Sequence, residues 1–235
     1  MRVHIAAACG FCYGVRRAVE LAAQAEAGTH TLGPIIHNPQ LVDSLSEKGV
    51  TPVNSLEEVA DGSRLLIRSH GVGPDVYDEA EKRRLHIVDA TCPHVKKAQQ
   101  DARKVINAKK VLVIIGEKDH PEVISISQWG GNRAIIIDKV EEAEEIPYCE
   151  TMGVVVQTTF SQSRFKQIES VLAGKTGHLD VYMTICAATR QRQEAAVELA
   201  GKVDAMIVIG GRNSANTGRL AQVCAEQGCP TYHVE

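Results

Sequence analysis

Short apolar runs rich in β-branched residues alternate with helical patterns from one end of this chain to the other, and no other feature limits its fold as much. Strands are expected at Val3–Ala8, Thr29–Leu32, Leu65–Arg68, His86–Val88, Val111–Ile115, Ala134–Ile137, Val154–Gln157, Leu179–Tyr182, Ala205–Ile209 and Thr231–Val234. Between them the apolar spacing changes to a helical period. Val15, Ala18, Val19, Ala22 and Ala23 share one face, and Pro93 occupies a favoured first helical position. Such alternation predicts an α/β fold with mostly parallel sheets covered by helices on both faces. A length of 235 residues suits two or three compact units, and no low-complexity linker separates them.

Three cysteines occupy equivalent places in this pattern. Cys12, Cys92 and Cys186 each follow an apolar run and precede a helical stretch, starting near Val15, Pro93 and Ala187. A thiol before a helix N-terminus feels the positive end of the dipole, which favours the thiolate. Three thiolates without an obvious fourth partner describe a metal or iron–sulfur site with one open position. A competing possibility is Cys9-Gly10-Phe11-Cys12, a C-x-x-C that could form a thioredoxin-type redox pair. It accounts for Cys9 and Cys12 but leaves Cys92 and Cys186 without a role. Seven cysteines, an odd number in a chain this long, argue against a disulfide framework, and Cys149 and Cys224 read as small core residues.

Composition excludes other classes. A net charge of −3 offers no basic footprint for nucleic acid, and 4% aromatic residues leave few stacking platforms. No apolar run approaches a membrane span, Val111–Ile115 being typical of the longest. The stretch Val3–Cys9 is too short for a signal peptide and is interrupted by His4, so a cytoplasmic protein is expected, with no nucleic-acid or membrane partner.

The remaining chemistry lies in strand-to-helix loops, where ligands bind in open α/β sheets. His37, His70 and His120 all lie in such loops beside Pro or Gly, and Ser214 and Asn216 lie in a glycine-rich loop entering a helix. Imidazoles together with helix N-termini suit a phosphate. The glycine-rich loop has no Gly-Lys-Ser/Thr ending and is not a Walker motif. Glu122, in His120-Pro121-Glu122, is a candidate proton donor. The helix dipole stabilises its carboxylate by only about 0.3–1 kcal/mol, less than one pKa unit. Desolvation and a bound polyanion can raise a carboxyl pKa by several units, so the acid form is expected once an anion is bound.

Gly10-Phe11-Cys12-Tyr13-Gly14-Val15, Ile36-His37-Asn38, Ser69-His70-Gly71-Val72, Asp89-Ala90-Thr91-Cys92-Pro93, His120-Pro121-Glu122, Gln157-Thr158-Thr159, Ile185-Cys186-Ala187-Ala188-Thr189 and Asn213-Ser214-Ala215-Asn216 follow one another along the chain. In this order they resemble the LytB-type 4-hydroxy-3-methylbut-2-enyl diphosphate reductases, the last enzymes of the non-mevalonate isoprenoid pathway. The resemblance implies three quasi-equivalent α/β domains around a central cavity: 14–92, 93–184, and 1–13 with 185–235. It implies that Cys12, Cys92 and Cys186 hold a [4Fe-4S] cluster with one open iron. It assigns His37, His70, His120, Ser214 and Asn216 to the diphosphate. It makes Glu122 the proton-relay acid, with Thr158 orienting it and His120 beside it in the catalytic set. The implied reaction is reductive dehydroxylation to isopentenyl and dimethylallyl diphosphate, the open iron polarising the hydroxyl and a ferredoxin or flavodoxin supplying electrons. Cys9 is outside the family pattern, and Ala215 stands where many members have a second serine. A Thr-Ala-Gly-Ala-Ser-like turn usual near the family's C-terminus has no match here, so the third domain is expected to be incomplete at its C-terminus.

Overall fold

The computed structural model describes residues 2–235 and is α/β throughout. Its order is α1 (Tyr13–Ala23), β1 (Thr29–Leu32), α2 (Pro39–Glu47), β2 (Val50–Val53), β3 (Arg64–Ile67), α3 (Pro74–Lys82), β4 (His86–Asp89) and α4 (Pro93–Asn107). There follow β5 (Val111–Ile115), α5 (Pro121–Trp129), β6 (Ile135–Ile137), α6 (Val140–Glu144), β7 (Cys149–Val156), α7 (Gln162–Ala173) and β8 (Thr176–Tyr182). Last come α8 (Ala187–Ala200), β9 (Met206–Ile209), α9 (Ala215–Ala225) and β10 (Thr231–Val234).

These strands form three sheets, ordered β2-β1-β3-β4, β6-β5-β7-β8 and β10-β9. Every strand pair is parallel, as the alternation with helices requires. The central strands are apolar on both faces. Leu65, Leu66 and Ile67 of β3 and Leu112, Val113, Ile114 and Ile115 of β5 are all buried. Each four-stranded sheet has an apolar cluster on either side, whereas the third sheet rests on one small cluster of Ala196, Ala200, Met206, Cys224 and Cys229. Cys224 is fully buried and Cys149 packs against the core of the second sheet, as expected of small core residues.

Two local expectations are corrected. Val3–Ala8 forms no strand: the segment joins none of the three sheets, and Val3 and Ile5 are 79% and 78% exposed. An apolar run becomes a strand only where a sheet edge supplies hydrogen bonds and a face covers its side chains. Conversely, β2 went unanticipated because Pro52 interrupts it. It lies at the outer edge of the first sheet, where a missing N–H costs no ladder bond.

The helix starts set up everything that follows. Proline is the first residue of α2, α3, α4 and α5. Proline forces the preceding residue into extended backbone and gives up only an N–H the helix would leave unpaired. Asn38, Cys92 and His120 are therefore N-caps, and Cys12, Cys186 and Ser214 cap α1, α8 and α9 in the same extended geometry. Asn38, His120, Cys186 and Ser214 each accept a first-turn N–H with the side chain, whereas Cys12 and Cys92 make no such cap bond. No helix among the described residues is long and apolar enough to cross a membrane.

Candidate functional site

All seven cysteines are free thiols. Cys12 and Cys92 are drawn together by Gly14 in the first turn of α1, where a Cβ would stand 2.5 Å from Cys92 Sγ. The three cysteine loops are also braced to one another by backbone carbonyls. Arg17 of α1 donates to the carbonyls of Asp89 and Thr91, at 3.1 and 3.4 Å, in the loop leading to Cys92. Arg192 of α8 donates to the carbonyl of Gly10, at 2.8 Å, in the loop leading to Cys12. The N–H of Cys186 donates to the carbonyl of Thr158 at 3.1 Å, and that of Cys92 to Ser69 at 3.0 Å. Removing a donor from a part-buried carbonyl costs about 1–3 kcal/mol. Arg17→Ala should lower stability by that amount in denaturant unfolding of the metal-free protein, with Arg17→Lys intermediate.

One expectation about these thiols is overturned. Burial pushes the Cys92 thiol up, and this outweighs the downward pull of the backbone N–H groups of His94 and Val95 at the start of α4. Without a metal, Cys92 holds its proton, and a bound metal must displace it. Among the described residues, the only three His, Cys, Asp or Glu donors within 4.8 Å of one another are those of His37, His70 and His120. Cys12, Cys92 and Cys186 each stand at the N-terminus of a helix and are free thiols, a soft donor set of the kind that iron and zinc select.

The three imidazoles converge from loops after β1, β3 and β5. Their ring centroids are 4.5 Å (His37–His70), 5.7 Å (His37–His120) and 5.4 Å (His70–His120) apart. Burial lowers all three pKa values, that of His120 to about 4, and a nearby guanidinium, Arg68, lowers them further. The rings are neutral at pH 7. The Glu122 N–H donates to His120 Nδ1 at 3.1 Å, which leaves the proton of the neutral ring on Nε2, able to donate. Both ring nitrogens of His37 and Nδ1 of His70 are buried without a partner. Such groups are costly unless a ligand satisfies them.

Glu122 is buried at the start of α5. Its Oε1 accepts from the Thr158 N–H at 2.6 Å and its Oε2 from the Thr158 hydroxyl at 2.9 Å. Burial raises its pKa to about 7, overcoming the two Thr158 bonds that lower it, with Glu117 adding a smaller upward push. The acid form is therefore accessible in the unliganded protein, whereas the sequence led us to expect it only with a bound anion. Glu122 also acts electrostatically on the Cys92 thiol. It is thus the hinge between the cysteine side of the site and the imidazole side.

Ser214 caps α9, accepting from the Thr217 N–H at 3.4 Å, and Asn216 lies half-buried in the first turn of that helix. The loop holding them abuts the loop after β1 closely: a Cβ on Gly211 would stand 2.5 Å from the His37 carbonyl oxygen. His37, His120 and Asn213 share a cavity of about 580 Å³ with the 116–121 loop. Neither Ser214 nor Asn216 lines that cavity. Arg17, Arg192 and Arg68 were not singled out from sequence. The first two act on backbone carbonyls of distant loops, which leave no side-chain signature in a sequence.

Comparison with known proteins agrees with this geometry. The family model described as LytB protein matches residues 3–235. The 4-hydroxy-3-methylbut-2-enyl diphosphate reductases of Pelobacter propionicus and Geotalea uraniireducens are each 45% identical over 238 residues, covering 100% of this chain and 85% and 84% of theirs. The solved E-1-hydroxy-2-methyl-but-2-enyl-4-diphosphate reductase of Plasmodium falciparum superposes with a TM-score of 0.91 at 28% identity, over 96% of this chain and 74% of that one. A second solved (E)-4-hydroxy-3-methyl-but-2-enyl diphosphate reductase, described as the terminal enzyme of the non-mevalonate pathway, superposes with a TM-score of 0.72 at 39% identity, over 99% and 85%. With three braced cysteine loops, a buried acid and a trio of clustered imidazoles on this shared framework, the chain belongs to the LytB protein family.

Proposed function

We propose that this chain is an iron–sulfur oxidoreductase that converts 4-hydroxy-3-methylbut-2-enyl diphosphate to isopentenyl and dimethylallyl diphosphate. Two electrons and two protons enter, the allylic C–O bond breaks, the oxygen leaves as water with one proton, and the other proton goes to carbon. Cys12, Cys92 and Cys186 would hold a [4Fe-4S] cluster. It supplies the electrons and a Lewis-acidic iron to polarise the hydroxyl. A ferredoxin or flavodoxin is the proposed electron source and the cytoplasm the proposed location. The three proposed units are 14–92, 93–184, and 1–13 with 185–235.

The chain's own groups divide the work. His37, His70 and His120, with Ser214 and Asn216, would receive the diphosphate. Its charge would raise the imidazole pKa values and draw protons onto them. Glu122, with a pKa of about 7, carries a proton in a substantial fraction of molecules near pH 7. When that proton sits on Oε2, the Thr158 hydroxyl accepts it as a hydrogen bond and turns its own proton outward, so the pair forms a short relay. Burial of Glu122 and Thr158 excludes water from that relay.

The observation that carries this reading is the position of Glu122. One residue is bonded to His120 through its N–H, to Thr158 through its carboxylate, and acts on the Cys92 thiol. Protein purified without oxygen should be brown, hold iron and acid-labile sulfide in equal amounts, and convert the substrate with reduced methyl viologen as donor. A colourless protein that cannot be reconstituted with iron and sulfide would overturn the reading.

A further inference from the structure

We propose that Arg68 is a direct diphosphate ligand that brings a permanent positive charge against the imidazole trio. The proposal rests on the reading of the imidazole trio as the diphosphate site. Arg68 ends the loop side of β3, two residues before His70. Its side chain is half-buried, makes no ion pair and donates no hydrogen bond among the described residues, and its Nε is buried without a partner. No carboxylate acts on it, burial alone lowering its pKa. An arginine normally loses water only where an acceptor replaces it, since a desolvated and unpaired charge is costly.

The surroundings say where that acceptor belongs. Arg68 lies two residues before His70, its Nη1 reaches the Gly33 backbone in the loop that leads to His37, and its charge acts on His37, His70 and His120. Its Nη1 lies across Gly33, in a left-handed turn at φ 73° where any Cβ would collide with it. The bare backbone there leaves room for the guanidinium. Three clustered imidazoles could also hold a divalent metal. A fixed positive charge against them opposes a cation and favours an anion. With the rings neutral before binding, the fixed charge of Arg68 attracts a diphosphate to them. Its planar fork can also bond two phosphate oxygens together, which an imidazole cannot.

The test is titration of cluster-loaded protein with inorganic diphosphate by calorimetry, in chelator-treated buffer. Wild type should bind, Arg68→Met should bind about 10- to 100-fold more weakly, and Arg68→Lys should fall between, with cluster absorption unchanged. Affinity of Arg68→Met within about twofold of a binding wild type would overturn the role of Arg68 and leave the site reading standing. No binding by wild type, or binding only with added zinc, would overturn the site reading itself. A measurement on wild type avoids dependence on the variant's folding. Diphosphate should shield Arg68 from phenylglyoxal, read by peptide mass spectrometry, and equal labelling with and without it would also refute the proposal.

Discussion

Glu122→Gln will keep its fold and bind its cluster but lose about 10²–10⁴ of turnover, the range that one positioned general acid supplies. The amide is close in shape to the acid, and its oxygen can still accept from the Thr158 N–H. What it lacks is the proton. The same substitution has a second readout that does not depend on activity. In the folded wild type the carboxyl titrates near 7, against an ordinary value of 4.5. Between those values the folded state binds more protons than the unfolded one, so wild-type stability falls as pH rises from about 4.5 to about 7 and is level above. The decline is about 3 kcal/mol. Glu122→Gln should lack it and gain stability relative to wild type as pH rises through this window. Denaturant unfolding at pH 5, 6, 7 and 8 measures both curves. Parallel curves would show that Glu122 does not titrate as described, and wild-type turnover would remove it as the acid.

Cys92→Ser should abolish the cluster and reduce turnover to background. The Cys92 thiol is closely held: Gly14 leaves no space beside it, and its loop is bonded to Arg17 and Ser69. A serine hydroxyl fits that space but is a poor iron ligand, since thiolates are the softer donors that iron–sulfur cores select. Iron and sulfide analysis after anaerobic reconstitution checks the result. A full complement of cluster in Cys92→Ser would show that Cys92 is not a ligand. Gly14→Ala should weaken loading as well, because its Cβ would force Cys92 Sγ aside.

Much of the framework was readable in advance because parallel α/β folds repeat a simple rule. A buried strand is a short apolar run and a helix has a 3.6-residue period, and this chain obeys both along most of its length. Pro93 marked the start of one helix in the sequence, and in the structure proline opens three more. The exceptions have physical causes. Pro52 hid an edge strand because its cost depends on which neighbour lies on its N–H side. Val3–Ala8 has the composition of a strand, yet no sheet edge receives it.

The site shows the same division. The residue types and order of Cys12, Cys92, Cys186, His37, His70, His120, Glu122 and Thr158 lie in the sequence, because strand-to-helix loops are where such folds gather polar groups. Their states do not. Whether Cys92 keeps its proton, whether Glu122 is an acid at pH 7 and whether the imidazoles are neutral all depend on burial and on neighbours distant in sequence. Arg68 is the clearest case: in the sequence it is the last residue of an apolar run, and in the fold it is a charge without an acceptor.

By itself, then, the sequence determined the alternating architecture, the helix caps that aim the site residues and the family's ordered motifs. All of these depend on local spacing and backbone sterics. Only the tertiary structure decided which loops meet, which carbonyls the arginines brace and which titratable groups lose water. Desolvation and charge act through space, and distance through space is set by packing rather than by position along the chain.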